Sequence, residues 1–218
     1  MPQATSGLSP FYGANRNPFN YEKVEQIDRD LTTQWLTLDE ITQQLNLFED
    51  ESQDAYLSSI ELATRMAIED YIGLTIFPVT YRCYYGQVNS FNTDVALDLP
   101  EVSEAGLTIQ EVAYWTTDPN PVRNVLSSTD YFYDQTGNRV VITNFPNVAN
   151  PTMANPMEVI YQTNPSIIAQ YPVVKQAGLM LLTHIYNNRS TVGDTVGTKA
   201  EIPFGVTVLL RPYKPLVM

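Results

Sequence analysis

One stretch limits what this chain can become: the run from Pro172 to Tyr186, PVVKQAGLMLLTHIY. Val174, Ala177, Leu181 and Ile185 recur at helical spacing on one face, and Val173, Leu179, Met180, Leu182 and Tyr186 cover most of the remaining circumference. A helix that is apolar nearly all round must be covered on nearly all sides. It is therefore either the centre of a bundle or shared between subunits. Gly178 in its middle costs about 1 kcal/mol relative to Ala, which is explained if another helix approaches closely there.

Length and composition narrow the choice. A chain of 218 residues can bury a core without metal or disulfide staples. The only cysteine, Cys83, has no partner for a disulfide and reads as a small strand hydrophobe. The first residues, MPQATSGLSPFYGANRNPF, lack a basic start and an apolar run, so no signal peptide is expected, and no run approaches the roughly 20 apolar residues of a membrane span. Net charge is −12 and uneven: residues 172–218 hold five Lys/Arg against two Asp/Glu, so that end carries +3 and the rest −15. An acidic chain repels phosphate, which argues against conventional DNA binding but does not exclude a surface past which DNA slides without sticking.

Taken in order, residues 1–36 read as an extended arm rich in Asn, Pro and aromatics, with Phe11, Tyr12, Phe19 and Tyr21 open to contact with a neighbouring subunit and a short helix possible over residues 22–34. Thr37-Leu38-Asp39-Glu40 is a capping box that opens a helix carrying Ile41 and Leu45 and ending near Asn46. The acids Glu49, Asp50, Glu51 and Asp54 suit the start of a second helix and lack the spacing and glycine of a calcium loop. That helix is expected over Ser52 to Ile72, with the stripe Leu57, Ile60, Ala63, Ala67 and Tyr71 inward and Gly73 as its left-handed end.

The period then falls to two. Val79, Tyr81, Cys83 and Tyr85 predict a strand, followed by strands over 95–99, 107–116, 131–133, 140–143 and 157–162, with a hairpin at Asp134-Gln135-Thr136-Gly137-Asn138. The expected fold class is α+β: an antiparallel helical bundle with a β-rich insertion between the second and the C-terminal long helix. Its parts are the arm over 1–36, the first part of the bundle over 37–76, the insertion over 77–164 and the second part of the bundle over 165–218.

No phosphate-cradling glycine loop, metal-ligand spacing or nucleophile elbow is present, so no enzyme activity and no cofactor are expected. His184, the only histidine, reads as a hydrogen-bonded core or interface residue. Tyr131, Phe132 and Tyr133, with Tyr114 and Trp115, read as sheet and core residues. A carbohydrate-binding alternative would pair those aromatics with Glu111, Asp130 and Asp134.

The order of segments resembles the head-tail connector (adaptor, head-completion) proteins of tailed bacteriophages. The likeness covers about Leu36 to Lys214: LTLDEITQQL, an acidic turn, ATRMAIEDYIGLTIF, the strands DYFYDQTGNRVVIT and MEVIYQT, the helix YPVVKQAGLMLLTHIYNNR, and EIPFGVTVLLRPYK. The resemblance implies a virion structural protein made in a bacterial host cytoplasm. It would form a ring, commonly of twelve subunits, that joins the portal vertex to the tail or stopper protein and extends the DNA channel without sequence-specific binding or membrane contact. A neck stopper or tail-completion protein is the nearest alternative. Within this expectation Val173, Leu179 and Tyr186 form the subunit interface. Arg189, Lys199, Phe204, Arg211, Tyr213 and Lys214 dock on the portal, the other reading of Phe204 being that it caps the subunit's own bundle.

Overall fold

Period-two alternation becomes sheet, helical periodicity becomes helix, and the two kinds of element gather in different units. The computed structural model describes residues 20–47, 51–86, 95–100, 105–116, 120–144, 153–188 and 202–214. One unit holds the described residues of Met1–Arg29 and Pro78–Asn164, the other those of Asp30–Phe77 and Pro165–Met218. The chain is α+β, as expected.

The first unit is built from eight strands among the described residues: β1 (Tyr21–Arg29), β2 (Val79–Tyr85), β3 (Val95–Asp98), β4 (Leu107–Trp115), β5 (Arg123–Val125), β6 (Tyr131–Asp134), β7 (Arg139–Ile142) and β8 (Met157–Thr163). They form an antiparallel sheet in the order β1-β2-β8-β4-β5 and a second in the order β3-β7-β6. One apolar cluster draws on both sheets: Cys83, Tyr85, Val112, Met157, Val159 and Tyr161 from the first, and Leu97, Val140 and Ile142 from the second. Cys83 is fully buried, and burial pushes its thiol up to about 12, which keeps it an unreactive core residue. The β6–β7 hairpin forms where expected. Its left-handed residue is Asn138 (φ 47°), while Gly137 leaves room for the Asp134–Arg139 ion pair, since a Cβ there would lie 2.9 Å from Arg139 Nε.

The expected helix over 22–34 is instead edge strand β1, paired with β2. Val24, Ile27 and Leu31 suggest a helical stripe, yet they remain exposed, whereas pairing gives the charged sequence YEKVEQIDR a partner for its main chain. The expected arm over 1–36 is therefore no arm in its described part: residues 21–29 are strand, and Trp35 and Leu36 are buried in the helical unit. Asn20 seals the outer edge of β3, its side chain donating to the Ala96 carbonyl at 2.6 Å and accepting from the Asp98 amide at 2.8 Å.

The second unit contains α1 (Leu38–Leu45), α2 (Asp54–Ile72), α3 (Pro172–Asn187) and α4 (Phe204–Leu210). The capping box closes α1: Thr37 Oγ1 accepts from the Glu40 amide at 3.2 Å, and Glu40 Oε2 accepts from the Thr37 amide at 2.9 Å. The other oxygen of Glu40 accepts from Lys175 on α3 at 2.7 Å, and this ammonium is the main reason the Glu40 carboxyl titrates low. Asn46 and Gly73 end α1 and α2 in the left-handed conformation.

The buried face of α2 departs from the apolar stripe read in the sequence. Leu57 and Ile60 are inward as expected, but Ala63 is exposed and Ala67 and Tyr71 only half-buried. The face continues through Thr64, Ile68 and Ile72, and beside them run Glu61, Arg65 and Glu69, all buried. Their partners are main chain. Glu61 Oε1 accepts from the Trp35 and Leu36 amides at 3.0 and 3.2 Å. Glu69 Oε1 accepts from the Ile76 and Phe77 amides at 2.6 and 3.4 Å. Arg65 donates to the Thr33 carbonyl at 2.9 Å and to the Asp30 carbonyl, with its guanidinium 4.7 Å from the Phe77 ring centre.

Gly178 is likewise explained differently from the expectation. The group that comes close is the indole of Trp35 rather than another helix: a Cβ on Gly178 would lie 2.7 Å from Trp35 Cζ3. The ring has little freedom to give way, because its Nε1 donates to the Ala169 carbonyl at 2.9 Å and its own amide is held by Glu61.

Two predictions follow from α2 and α3. Gly178→Ala should destabilise the protein by about 1–3 kcal/mol through overpacking against Trp35, measured by urea unfolding. Burial raises the Glu61 carboxyl above its ordinary range. The stability it contributes is thus complete below the unfolded-state pKa and is lost as pH rises through the folded-state pKa. Glu61→Gln keeps an oxygen for both amides and removes that loss, so its melting temperature should gain on wild type as pH is raised. Glu61→Ala leaves two buried amides unpaired and should cost about 2–4 kcal/mol.

Candidate functional site

Helix α4 presents its apolar residues in two directions. Val206 and Leu210 are fully buried against the helical core. Phe204, Val208 and Arg211, spaced i, i+4 and i+7, point outward. Phe204 is 82% exposed and Val208 51%, so an apolar ridge stands in solvent where an amphipathic surface helix carries polar groups. Arg211 at its end makes no ion pair among the described residues, and the segment 202–214 contains Arg211 and Lys214 but no acidic residue.

The helix is seated by close packing and by rings. A Cβ on Gly205 would lie 3.0 Å from Met180 Cε, so glycine there lets α4 approach α3. Beyond the 3-10 turn Arg211–Tyr213, Lys214 Nζ lies 3.8 Å from the Tyr71 ring centre, and the Tyr213 ring lies 5.6 Å from that of Tyr171. Tyr71 Oη faces the Thr207 carbonyl at 3.5 Å.

The residues expected at a subunit interface are not alike. Val173, in the first turn of α3, is 40% exposed. Leu179 is half-buried and packs against the helical core. Tyr186 is largely engaged within its own chain, its Oη donating to Gln53 Oε1 at 2.9 Å and its ring lying 6.2 Å from Tyr56. His184 is exposed rather than in the core, beside the Asn188 amide. Of the residues expected to dock, Phe204 opens α4 and Arg211, Tyr213 and Lys214 follow its last turn, and Arg189 and Lys199 lie outside the described residues. Val208, which the sequence did not single out, belongs with Phe204 and Arg211 by helical spacing.

The acids and aromatics of the β unit are occupied structurally. Buried Glu158 lies between Arg123 and Arg82, Glu111 pairs with Arg123, and Glu25 accepts from Tyr84 Oη at 2.9 Å and lies 3.9 Å from Arg82. The ion pairs thus form a chain of alternating charge over the five-stranded sheet, Glu25–Arg82–Glu158–Arg123–Glu111. Asp134 is held low, at about 2, chiefly by the Thr136 hydroxyl and by Arg139. Tyr131 and Tyr133 pack on the core while Phe132 between them points out. Among the described residues no group of three or more His, Cys, Asp or Glu is arranged to hold a metal ion.

No family model and no curated protein matches this sequence. Solved structures do match in fold. A chain from the neck of an empty gene transfer agent (GTA) particle, computed with C6 symmetry, superimposes with a TM-score of 0.60 at 17% identity, over 90% of this chain and 97% of that one. A chain from the virion of a native GTA particle gives 0.58 at 18%, and one from the neck of a native GTA particle computed with C12 symmetry gives 0.54 at 15%, with the same coverage. The fold is therefore one found in the neck of phage-like particles.

Because Phe204 is almost fully solvated, Phe204→Ser should leave stability within about 0.5 kcal/mol of wild type in a thermal melt. A larger loss would show that the ring caps its own bundle.

Proposed function

We propose that this protein is a structural subunit of the neck of a phage-like virion, forming with its own copies a ring that joins the portal vertex to the tail or stopper protein and extends the DNA channel. The observation that carries the reading is the fold shared with GTA neck chains over 90% of this sequence. Symmetry of order 6 and 12 in those necks supports a ring, here a dodecamer. In this reading the helical unit is an antiparallel bundle, the β unit is its insertion, and the protein has no catalytic role, cofactor or membrane contact. The net charge of −12 suits a channel wall, because repulsion keeps passing DNA mobile where a basic wall would hold it.

Contact with the portal falls to the outward ridge of α4, where Phe204 and Val208 supply apolar area and Arg211 a charge that steers encounter with an acidic rim. Contact between copies falls to the helical unit, with Val173 its exposed member on α3.

The test is negative-stain microscopy of the purified protein, alone and mixed with purified portal. Rings coaxial with the portal are the expected result; particles that stay monomeric in both samples would refute the reading. Val173→Glu should leave the melting temperature unchanged, since an acid in the first turn suits the helix dipole, but abolish rings by placing an unpaired charge between copies. Phe204→Ser and Arg211→Glu should each keep a wild-type circular dichroism spectrum and bind portal-bearing heads at least 10-fold more weakly, a loss of about 1.4 kcal/mol or more.

A further inference from the structure

The residues at the C-terminal end of the docking segment divide into two kinds, and we infer that Tyr213 and Lys214 act within the chain, as an aromatic clasp with Tyr171 and Tyr71 that positions α4, and make no contact with the partner. The inference rests on the reading of α4 as the docking ridge and assigns four residues to its support.

A helix of seven residues is far too short to persist alone in water. Its N-cap residue is Pro203, whose side chain cannot accept from the first free amides. Its order has to come from what it rests on. Val206 and Leu210 supply the buried contact, and Gly205 on Met180 sets how closely α4 approaches α3. The far end is fixed by rings that both stand at the ends of long helices. Tyr71 lies in the last turn of α2, two residues before the left-handed Gly73, and Tyr171 immediately precedes α3. Lys214 Nζ over the Tyr71 face at 3.8 Å and Tyr213 against Tyr171 at 5.6 Å therefore tie the chain after α4 to both α2 and α3. Arg211 differs from Lys214 in having no such ring partner among the described residues, and it is the cation that continues the line of Phe204 and Val208. A ridge ordered in advance loses little conformational entropy when a partner arrives, whereas a loose segment would lose much of its affinity to ordering.

Two measurements on the full-length protein test this. The first, on the free protein, is hydrogen exchange at the Val206–Leu210 amides. Lys214→Gln and Tyr71→Leu should each speed exchange about 3- to 10-fold, the size expected of one exposed cation–ring contact. Combining them should add nothing further, and Tyr71→Phe, which keeps the ring face and loses only the long contact of its hydroxyl with the Thr207 carbonyl, should speed exchange less than Tyr71→Leu. The second is affinity for portal-bearing heads across a salt series. Lys214→Gln should weaken binding with the salt slope intact, whereas Arg211→Gln should flatten the slope. The clasp is overturned if Lys214→Gln leaves exchange unchanged, if it flattens the salt slope, or if its effect on binding adds to that of Tyr71→Leu. Wild-type binding by Phe204→Ser would instead defeat the docking reading, and the exchange data would still decide the clasp.

Discussion

A buried guanidinium sets the arrangement of the helical unit. Arg65 is fully buried, and taking a charge out of water carries a cost of several kcal/mol unless its donors are met. Here its two terminal nitrogens donate to the carbonyls of Thr33 and Asp30 and the guanidinium lies over the face of Phe77, while Nε has no hydrogen-bond partner among the described residues; Glu61 and Glu69 stand one turn away on either side. The three side chains hold the main chain of two non-helical segments, those on either side of α1 and α2 in sequence, whose buried amides and carbonyls would otherwise be unpaired. One row of polar residues on α2 thus does for these loops what a strand neighbour does in a sheet.

The position of Trp35 follows from that row. With its amide on Glu61, its indole is directed into the space left by Gly178, and the pair locks the segment before α1 onto α3. Lys175 and Glu40 reinforce the same contact from the helix surface. Most of the apolar circumference of α3 is then covered by its own chain, and among the described residues the exposed large apolar side chains of this unit are Leu31, Ile167, Val173, Phe204 and Val208. Assembly on such a framework needs no rearrangement of the core, because the outward residues are not the ones that hold the unit together.

The β unit solves a different problem. Its first sheet carries a row of alternating charge, and Glu158, deep in that row, is matched by two arginines. Of the acids that a sugar-binding reading would require, Glu111 and Asp134 are tied into such pairs and Asp130 accepts from the Asn144 side-chain amide, while Tyr131 and Tyr133 serve the core. The likeness to neck chains is one of fold, at identities below 20%.

The sequence by itself determined the elements whose signals are local. The Thr37–Glu40 capping box, the left-handed Gly73, the alternation of β2 and the hairpin at Asp134–Asn138 each depend on residues within a few positions of one another, so spacing alone suffices. It also carried the helical spacing of Phe204, Val208 and Arg211, though not which face of α4 would be left in water. Tertiary structure decided what depends on distant partners. YEKVEQIDR became an edge strand because β2 offered it a ladder, and Glu61 and Arg65 went inside because main-chain groups far away in sequence needed an acceptor and a donor, as Glu69 did for the amides just beyond its own helix. A charged side chain reads as surface until its partner is known, since only the pairing removes the cost of taking it from water.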